Sequence, residues 1–346
     1  MPDSWPSWQA DADRWGCITQ VMGIEAGHCT QPHGPTGCTV LIARDGAVAG
    51  VDVRGAAPGT RETDLLSPAN LVERVHAIAL CGGSAWGLDA ASGVMQWLDE
   101  QRIGLDVGVA RVPIVPAAVL FDLLVGDPGI RPGARQGYTA CQQAGKTPLT
   151  CGSVGAGSGA SVGKVFGMPC AMRGGIGSAS LTVQGVTVAA VIACNALGDV
   201  IHPGTGSVVA GARTSPTGHV LRNTHQALLR GESPVAILQG SNTTIGAVAT
   251  DAVLSKSQAQ RLATVAHDGL ARSISPVHTM SDGDTLFALA TGKVAQHPGM
   301  LTLSAMATEV VARATVRAVW SATAYQDDAG LYLPAVTDVR CGGNRF

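Results

Sequence analysis

Charge is scarce in this chain. Only 14% of its 346 residues are Asp, Glu, Lys or Arg, where roughly a quarter is usual. The two signs nearly cancel, leaving a net charge of -2. No basic run suggests nucleic acid, and no acidic tail suggests a charged partner. Aromatic residues make up only 4%. No stretch approaches the roughly 18 unbroken apolar residues of a membrane-spanning helix, so no membrane partner is expected. Nine cysteines are present, but they form no C-x-x-C pair and no His/Cys pattern with zinc spacing, so no metal or other cofactor is expected. Residues 1–15 carry Asp3, Asp11 and Asp13 and lack the basic start and apolar core of a secretory signal. A cytoplasmic location with reduced thiols is the expectation.

What is abundant is small and apolar. Hydrophobic residues reach 46%, and there are 45 glycines. So little polar surface points to a large buried core or to oligomer interfaces, because obligate interfaces resemble a domain core. A homo-oligomer is expected.

The segment from Cys38 to Val53 predicts a hairpin turning at Arg44-Asp45-Gly46, since Asp-Gly between apolar runs is a strong turn signal. Ser67-Pro68 predicts the start of a short helix. A strand is expected at Val75–Leu80, then a helix over about 84–101. Val112–Val119 reads as a strand, and Tyr138–Ala144 as a helix. Leu181–Ile201 predicts a second hairpin turning at Gln184-Gly185. Ala247–Val253 reads as a strand. Ser255 with Gln258 then forms a capping-box pattern for a helix to about Arg272. Leu286–Ala290 reads as a strand and Ala305–Ala322 as a long helix. The tail after Tyr325, with Gly342-Gly343, reads as a loop or arm. Paired strands with helices set apart argue for antiparallel sheets covered by helical layers. The expected fold class is α+β, one four-layer αββα sandwich over residues 1–346.

Several constellations could carry chemistry. Gly152 to Val165 resembles a phosphate loop ending in Gly163-Lys164. Ser158 stands where the first glycine should be, and Val165 stands where Ser or Thr is required. Gly159-Ala160-Ser161-Val162-Gly163 fits the G-x-S-x-G nucleophile pattern, but no clean strand precedes it. A third reading is a Gly-rich segment that carries Lys164 into a crowded site. Asn195 ends an apolar strand, either as a turn residue or as an oxyanion donor. Asp282-Gly283-Asp284 is either a solvated turn or a carboxylate pair that orients a nucleophile. His267 and His278 are further candidates, with no spacing that links them to a serine.

Asn242-Thr243 precedes a run of β-branched and small residues. It is either a turn entering a strand or a bond that the chain cuts itself. Cleavage there would place a hydroxyl nucleophile and a free α-amine, titrating near ~8, on one residue.

Together these segments resemble the DmpA-type aminopeptidases and the related NylC-like nylon-oligomer hydrolases. The resemblance is carried by Gly34-Pro35-Thr36-Gly37-Cys38-Thr39-Val40 and by Cys81-Gly82-Gly83-Ser84-Ala85-Trp86-Gly87-Leu88. It continues through Gly163-Lys164-Val165, Asn195, Asn242-Thr243-Thr244-Ile245 and Asp282-Gly283-Asp284-Thr285-Leu286-Phe287-Ala288. It implies an N-terminal-nucleophile-hydrolase-like sandwich of the DmpA/ornithine acetyltransferase type. It also implies autocleavage between Asn242 and Thr243, giving an α chain of residues 1–242 and a β chain of residues 243–346, and a tetramer of such cleaved units.

In the NylC-like pattern Thr243 is the nucleophile, Lys164 and Asn195 are its partners, and Asp282 and Asp284 are the acidic pair. The DmpA-like Gly-Ser junction is replaced by Asn-Thr. A site tyrosine of the NylC-like pattern falls near Phe121, for which the Tyr138 region is a candidate substitute. The implied substrate is a small peptide or amide with a free amino end, including 6-aminohexanoate oligomers, with Asp122 a candidate partner for its ammonium. An acyltransferase of the ornithine acetyltransferase type is the rival enzyme reading, although its usual Ala-Thr-Met-Leu junction is absent. An uncleaved binding or assembly protein is the rival outside enzymes.

Overall fold

The computed structural model describes residues 15–235 and 240–340. Asp3, Asp11, Asp13 and Gly342-Gly343 lie outside the described residues. The main sheet has nine strands among the described residues. They are β1 (Glu25–Thr30), β2 (Gly37–Val53), β3 (Gly59–Arg61), β4 (Arg74–Cys81), β5 (Ala117–Val119), β6 (Gly175–Val183), β7 (Val186–Asn195), β8 (Thr243–Ala252) and β9 (Thr285–Val294). Their order is β6-β7-β8-β9-β2-β4-β5-β3, with β1 also on β2. Four long helices flank them: α1 (Ala90–Glu100), α2 (Ala134–Gln142), α3 (Lys256–Ser273) and α4 (Met300–Trp320).

β2 makes the sheet into two layers. The sequence predicts a hairpin here, but the chain runs as one strand of 17 residues. At Gly46 the backbone enters the left-handed region (φ 74), and pairing with β4 slips between Ile42 and Ala47. Asp-Gly thus supplies a bulge, which bends a strand without reversing it. The first half of β2 pairs with β1 and the second with β9.

The two halves of the sheet pack face to face. Leu41, Ile78, Leu80 and Ala118 meet Val191, Ala193, Ile245, Ala247, Phe287 and Leu289 in one core layer. Because side chains alternate along a strand, the intervening residues face outward. Val40, Ala79 and Val119 pack under α1 and α2, while Val188, Val248 and Ala288 pack under α3 and α4. Most strands are therefore buried on both faces, which accounts for the scarcity of charge. Gly177 lets α4 approach the sheet closely, since a Cβ there would lie 2.1 Å from the Ala314 carbonyl oxygen.

The layers are α-β-β-α, but the sheet is mixed where antiparallel pairing was expected. β8 and β9 are parallel, as are β4 and β5. A helix crosses between the strands of each pair, α3 in the first and α1 in the second, as parallel neighbours require. The β6–β7 hairpin turns at Gln184-Gly185 as predicted, both residues having positive φ, and the Ser255–Gln258 capping box forms.

Some boundaries differ. Helix α2 starts at Ala134 rather than Tyr138. The expected helix after Ser67 is absent. A 3-10 turn at Asp64–Leu66 ends there instead, because the residue before a proline is held extended. The tail is not a bare arm: Tyr325–Gln326 pairs with Tyr332–Leu333, and the helix Val336–Arg340 sends Val336 and Val339 into the core. Among the described residues no helix is long and apolar enough to cross a membrane.

Candidate active site

The candidate residues converge where several strands end. Asn195, the last residue of β7, lies opposite Thr243, the first residue of β8, in the antiparallel ladder. Parallel pairing sets the start of β9 beside β8, and Asn242 bridges Asp282 just ahead of both strands. Residues 40 positions or more apart in the chain are thus neighbours through sheet register alone.

The Asn242–Thr243 bond is buried, with Asn242 at 0% and Thr243 at 3% exposure. The Asn242 carbonyl oxygen accepts a hydrogen bond from the Gly283 N–H at 2.9 Å and another from Thr243 Oγ. The hydroxyl and the preceding carbonyl are therefore in contact, with a backbone donor already on the carbonyl oxygen. Gly283 is required here, since a Cβ would sit 2.5 Å from the Ala57 carbonyl oxygen and 2.9 Å from Thr243 Oγ.

Lys164 is buried on the Gly-rich segment. Its Nζ donates to the backbone oxygen and to Oδ1 of Asn195, both at 2.9 Å, and lies 3.5 Å from the Ser241 carbonyl oxygen. Burial drives its pKa down to about 7, against the opposing pull of Asp282, Cys194, Asp122 and Asp284. An ammonium that loses its proton near neutrality can serve as a base or as a labile charge. Asn195 is held from both ends. Its Oδ1 also accepts from the Ser161 N–H at 3.0 Å, and its Nδ2 donates to the Phe121 carbonyl oxygen at 2.8 Å. Ser161 sits in a buried two-residue strand with its Oγ toward Asn195 Oδ1. Its hydroxyl has a side-chain amide beside it rather than a base, which argues against the nucleophile pattern.

The acidic pair is asymmetric. Asp282 Oδ2 accepts from the N–H and Oγ of Thr279, at 2.8 and 2.6 Å. Burial and the nearby Asp284 charge push its pKa up. Asp284 accepts from the Thr244 N–H at 2.7 Å and, through its other oxygen, meets His278 Nδ1 at 2.7 Å. The sequence offers His278 only as a further candidate, with no spacing that gives it a role. Its only local signal is its position just ahead of Asp282-Gly283-Asp284.

The substrate-binding candidates are dispersed. Phe121 touches the site through its backbone oxygen. Asp122 is buried, with Thr36 Oγ on one carboxylate oxygen at 2.6 Å and the Gly83 N–H on the other at 2.7 Å. Burial raises its pKa to about 6. Tyr138 is not brought to Thr243. It lies on α2, packed with α1 in the outer layer, and its hydroxyl donates to Glu100 at 2.6 Å.

Comparison with known proteins follows the same lines. The model of a family described as Peptidase family S58 matches residues 16–331. An uncharacterized aminopeptidase of Mycobacterium tuberculosis is 47% identical over 297 residues, covering 81% of this chain and 83% of the relative. The 6-aminohexanoate-oligomer endohydrolase of Kocuria sp. is 33% identical over 275 residues, covering 79% and 74%. Among solved structures, the L-aminopeptidase D-Ala-esterase/amidase of Ochrobactrum anthropi matches with a TM-score of 0.69 at 18% identity, over 94% of this chain and 92% of that one. That structure is described as a variant of the N-terminal-nucleophile hydrolase fold, and the four layers found here share that fold.

Proposed function

The chain belongs to peptidase family S58, and we propose that it is an amidohydrolase whose first substrate is its own Asn242–Thr243 bond. The observation that carries this reading is the contact of Thr243 Oγ with the Asn242 carbonyl, whose oxygen already holds the Gly283 N–H.

In the first stage Oγ adds to the Asn242 carbonyl carbon. The Gly283 N–H stabilises the charge that develops on the oxygen, which is the largest single contribution in many acyl transfers. The C–N bond then breaks, and the Oγ proton ends on the leaving Thr243 nitrogen. Water hydrolyses the resulting ester, leaving an Asn242 carboxylate and a free Thr243 α-amine. The products are an α chain of residues 1–242 and a β chain of residues 243–346.

In the second stage the α-amine takes the Oγ proton, and Oγ attacks a substrate amide. The proposed donors to the new oxyanion are the Gly283 N–H and the Asn195 amide proton left over from its bond to Phe121, while Lys164 favours a neutral amine by like charge. Asp282 holds the loop through Thr279, and Asp284 holds the Thr244 N–H of β8. Water then resolves the acyl-enzyme. The burial of Asn242 in the uncut chain supports an ordered sequence, in which external substrates gain access only after cleavage.

The names of the relatives support small peptides or amides with a free amino end, 6-aminohexanoate oligomers among them, as substrates. Assembly of the cleaved units into a homotetramer is proposed from the family resemblance.

The test is a Thr243→Ala chain on a denaturing gel. The parent should give two fragments, the smaller beginning with Thr243. The variant should stay one 346-residue species without activity on amino-acid p-nitroanilides or a 6-aminohexanoate oligomer. Cutting of the variant at the same bond would sink the proposal.

A further inference from the structure

Behind the acidic pair lies a polar cluster that the reaction above leaves unused. Asp284 Oδ2 faces His278 twice, meeting its backbone N–H at 3.2 Å and its Nδ1 at 2.7 Å. The far edge of that ring, Nε2, is buried without a hydrogen-bond partner among the described residues. The His267 ring packs against it edge-on, with centroids 4.9 Å apart. His267 comes from α3 and is anchored through Nε2 to the Asp52 carbonyl oxygen at 2.9 Å. Burial drives the His267 pKa down to about 4, so the ring behind His278 is neutral and adds no charge of its own.

Asp284 thus receives three donors when its carboxyl is ionised and His278 carries its proton on Nδ1. Each of these stabilises the anion. Asp282 receives only the two groups of Thr279 and feels the Asp284 charge. We propose that His278 is a positioning residue of the reaction, which fixes the Asp284 carboxylate in place through its backbone N–H and its Nδ1. Asp284 in turn holds the Thr244 N–H, and with it the start of β8 that carries the nucleophile. This role rests on Thr243 being that nucleophile.

The backbone supports a purpose for this side chain. His278 is held at φ 56, a left-handed conformation that Gly or Asn adopts more easily than other residues. That also gives clean variants. His278→Gly removes the ring without backbone strain. His278→Asn keeps φ and offers its Nδ2 where the imidazole offered Nδ1. The other titratable groups facing Asp284 are Asp282 on the same loop, Lys164 on the Gly-rich segment, Cys194 on β7 and His267 on α3. All of them stay in place in both variants.

The experiment measures precursor self-cleavage and p-nitroanilide hydrolysis between pH 5 and 9 for the parent, His278→Gly, His278→Asn, Asp284→Asn and the His278→Gly/Asp284→Asn double variant. Loss of a charge-assisted hydrogen bond should lower kcat of His278→Gly by ~10–100-fold with KM little changed. His278→Asn should recover to within about 3-fold of the parent. In the Asp284→Asn background His278→Gly should cost nothing further, since the two residues act as one unit.

A His278→Gly chain with parental rates would overturn the role of His278 and leave the nucleophile standing. So would losses that multiply in the double variant. If His278→Gly proves too unstable to assay, a folded His278→Asn chain that loses more than ~10-fold in kcat overturns the role. A Thr243→Ala chain that still cuts itself fails separately, by removing the nucleophile itself.

Discussion

Lys164 Nζ holds both oxygens of Asn195, the backbone carbonyl and the side-chain Oδ1, at 2.9 Å each. A buried amine on two neutral acceptors is poorly compensated as a cation, which is why burial lowers its pKa from 10.5 to about 7. Between those two values the unfolded chain binds a proton that the folded chain has released. Stability therefore rises with pH across that window, and the penalty of the buried charge is fully present below about 7. Replacing Lys164 with Met removes this dependence. Thermal midpoints measured from pH 6 to 10 should show the parent gaining on Lys164→Met as pH rises. Parallel curves would mean that Lys164 does not change its charge in this range.

Gly283→Ala should abolish the cut without unfolding the chain. The added methyl would meet the Ala57 carbonyl oxygen at 2.5 Å and Thr243 Oγ at 2.9 Å. The loop would have to move, and its N–H would leave the Asn242 oxygen. Loss of one oxyanion donor typically costs ~10²–10³-fold in rate. Time courses of precursor disappearance should show a drop of at least that order. A parental rate would mean that the Gly283 N–H is not the donor.

Asn195→Ala would strand several buried groups at once. The Ser161 N–H and Lys164 Nζ would each lose an acceptor, and the Phe121 carbonyl oxygen would lose a donor. Each orphaned buried group costs about 1–3 kcal/mol, so chemical denaturation should show a loss of about 2–5 kcal/mol. Self-cleavage should slow as well, because Lys164 would be held beside Ser241 only by the residue-195 backbone oxygen. A fully stable variant would mean that the site relaxes around the gap.

Much of this site was legible in the sequence because its members sit at the ends of apolar strands, and strand ends are places where a run of β-branched residues meets a polar one. Asn195, Thr243 and the Asp282/Asp284 pair all have that character. What the sequence could not give was adjacency: Asn195 faces Thr243 only through antiparallel register, and Asp282 reaches Asn242 only through the parallel pairing of β8 and β9. Asp45-Gly46 was misread because the same dipeptide serves a tight turn and a bulge. His278 stood only as an unassigned candidate because its partner is reached through a left-handed backbone rather than a periodic spacing. Tyr138 had the right chemistry but lies on an outer helix.

Asp122→Asn separates a structural carboxylate from a substrate-binding one. Both oxygens already hold protein donors, from Thr36 and Gly83, and the residue is 3% exposed. Its pKa is raised from 3.8 to about 6, chiefly by burial. A carboxyl raised in the fold binds a proton there that the unfolded chain has lost, so stability falls as pH rises between these values. The amide variant carries no such dependence. Its thermal midpoint relative to the parent should therefore improve from pH 4 to pH 7. Kinetics should show KM for amino-acid p-nitroanilides changed by less than about 3-fold, since loss of a direct charge-assisted bond to a substrate ammonium would cost ~10–100-fold. A rise of that size, confined to substrates with a free amino group, would instead assign Asp122 to the substrate.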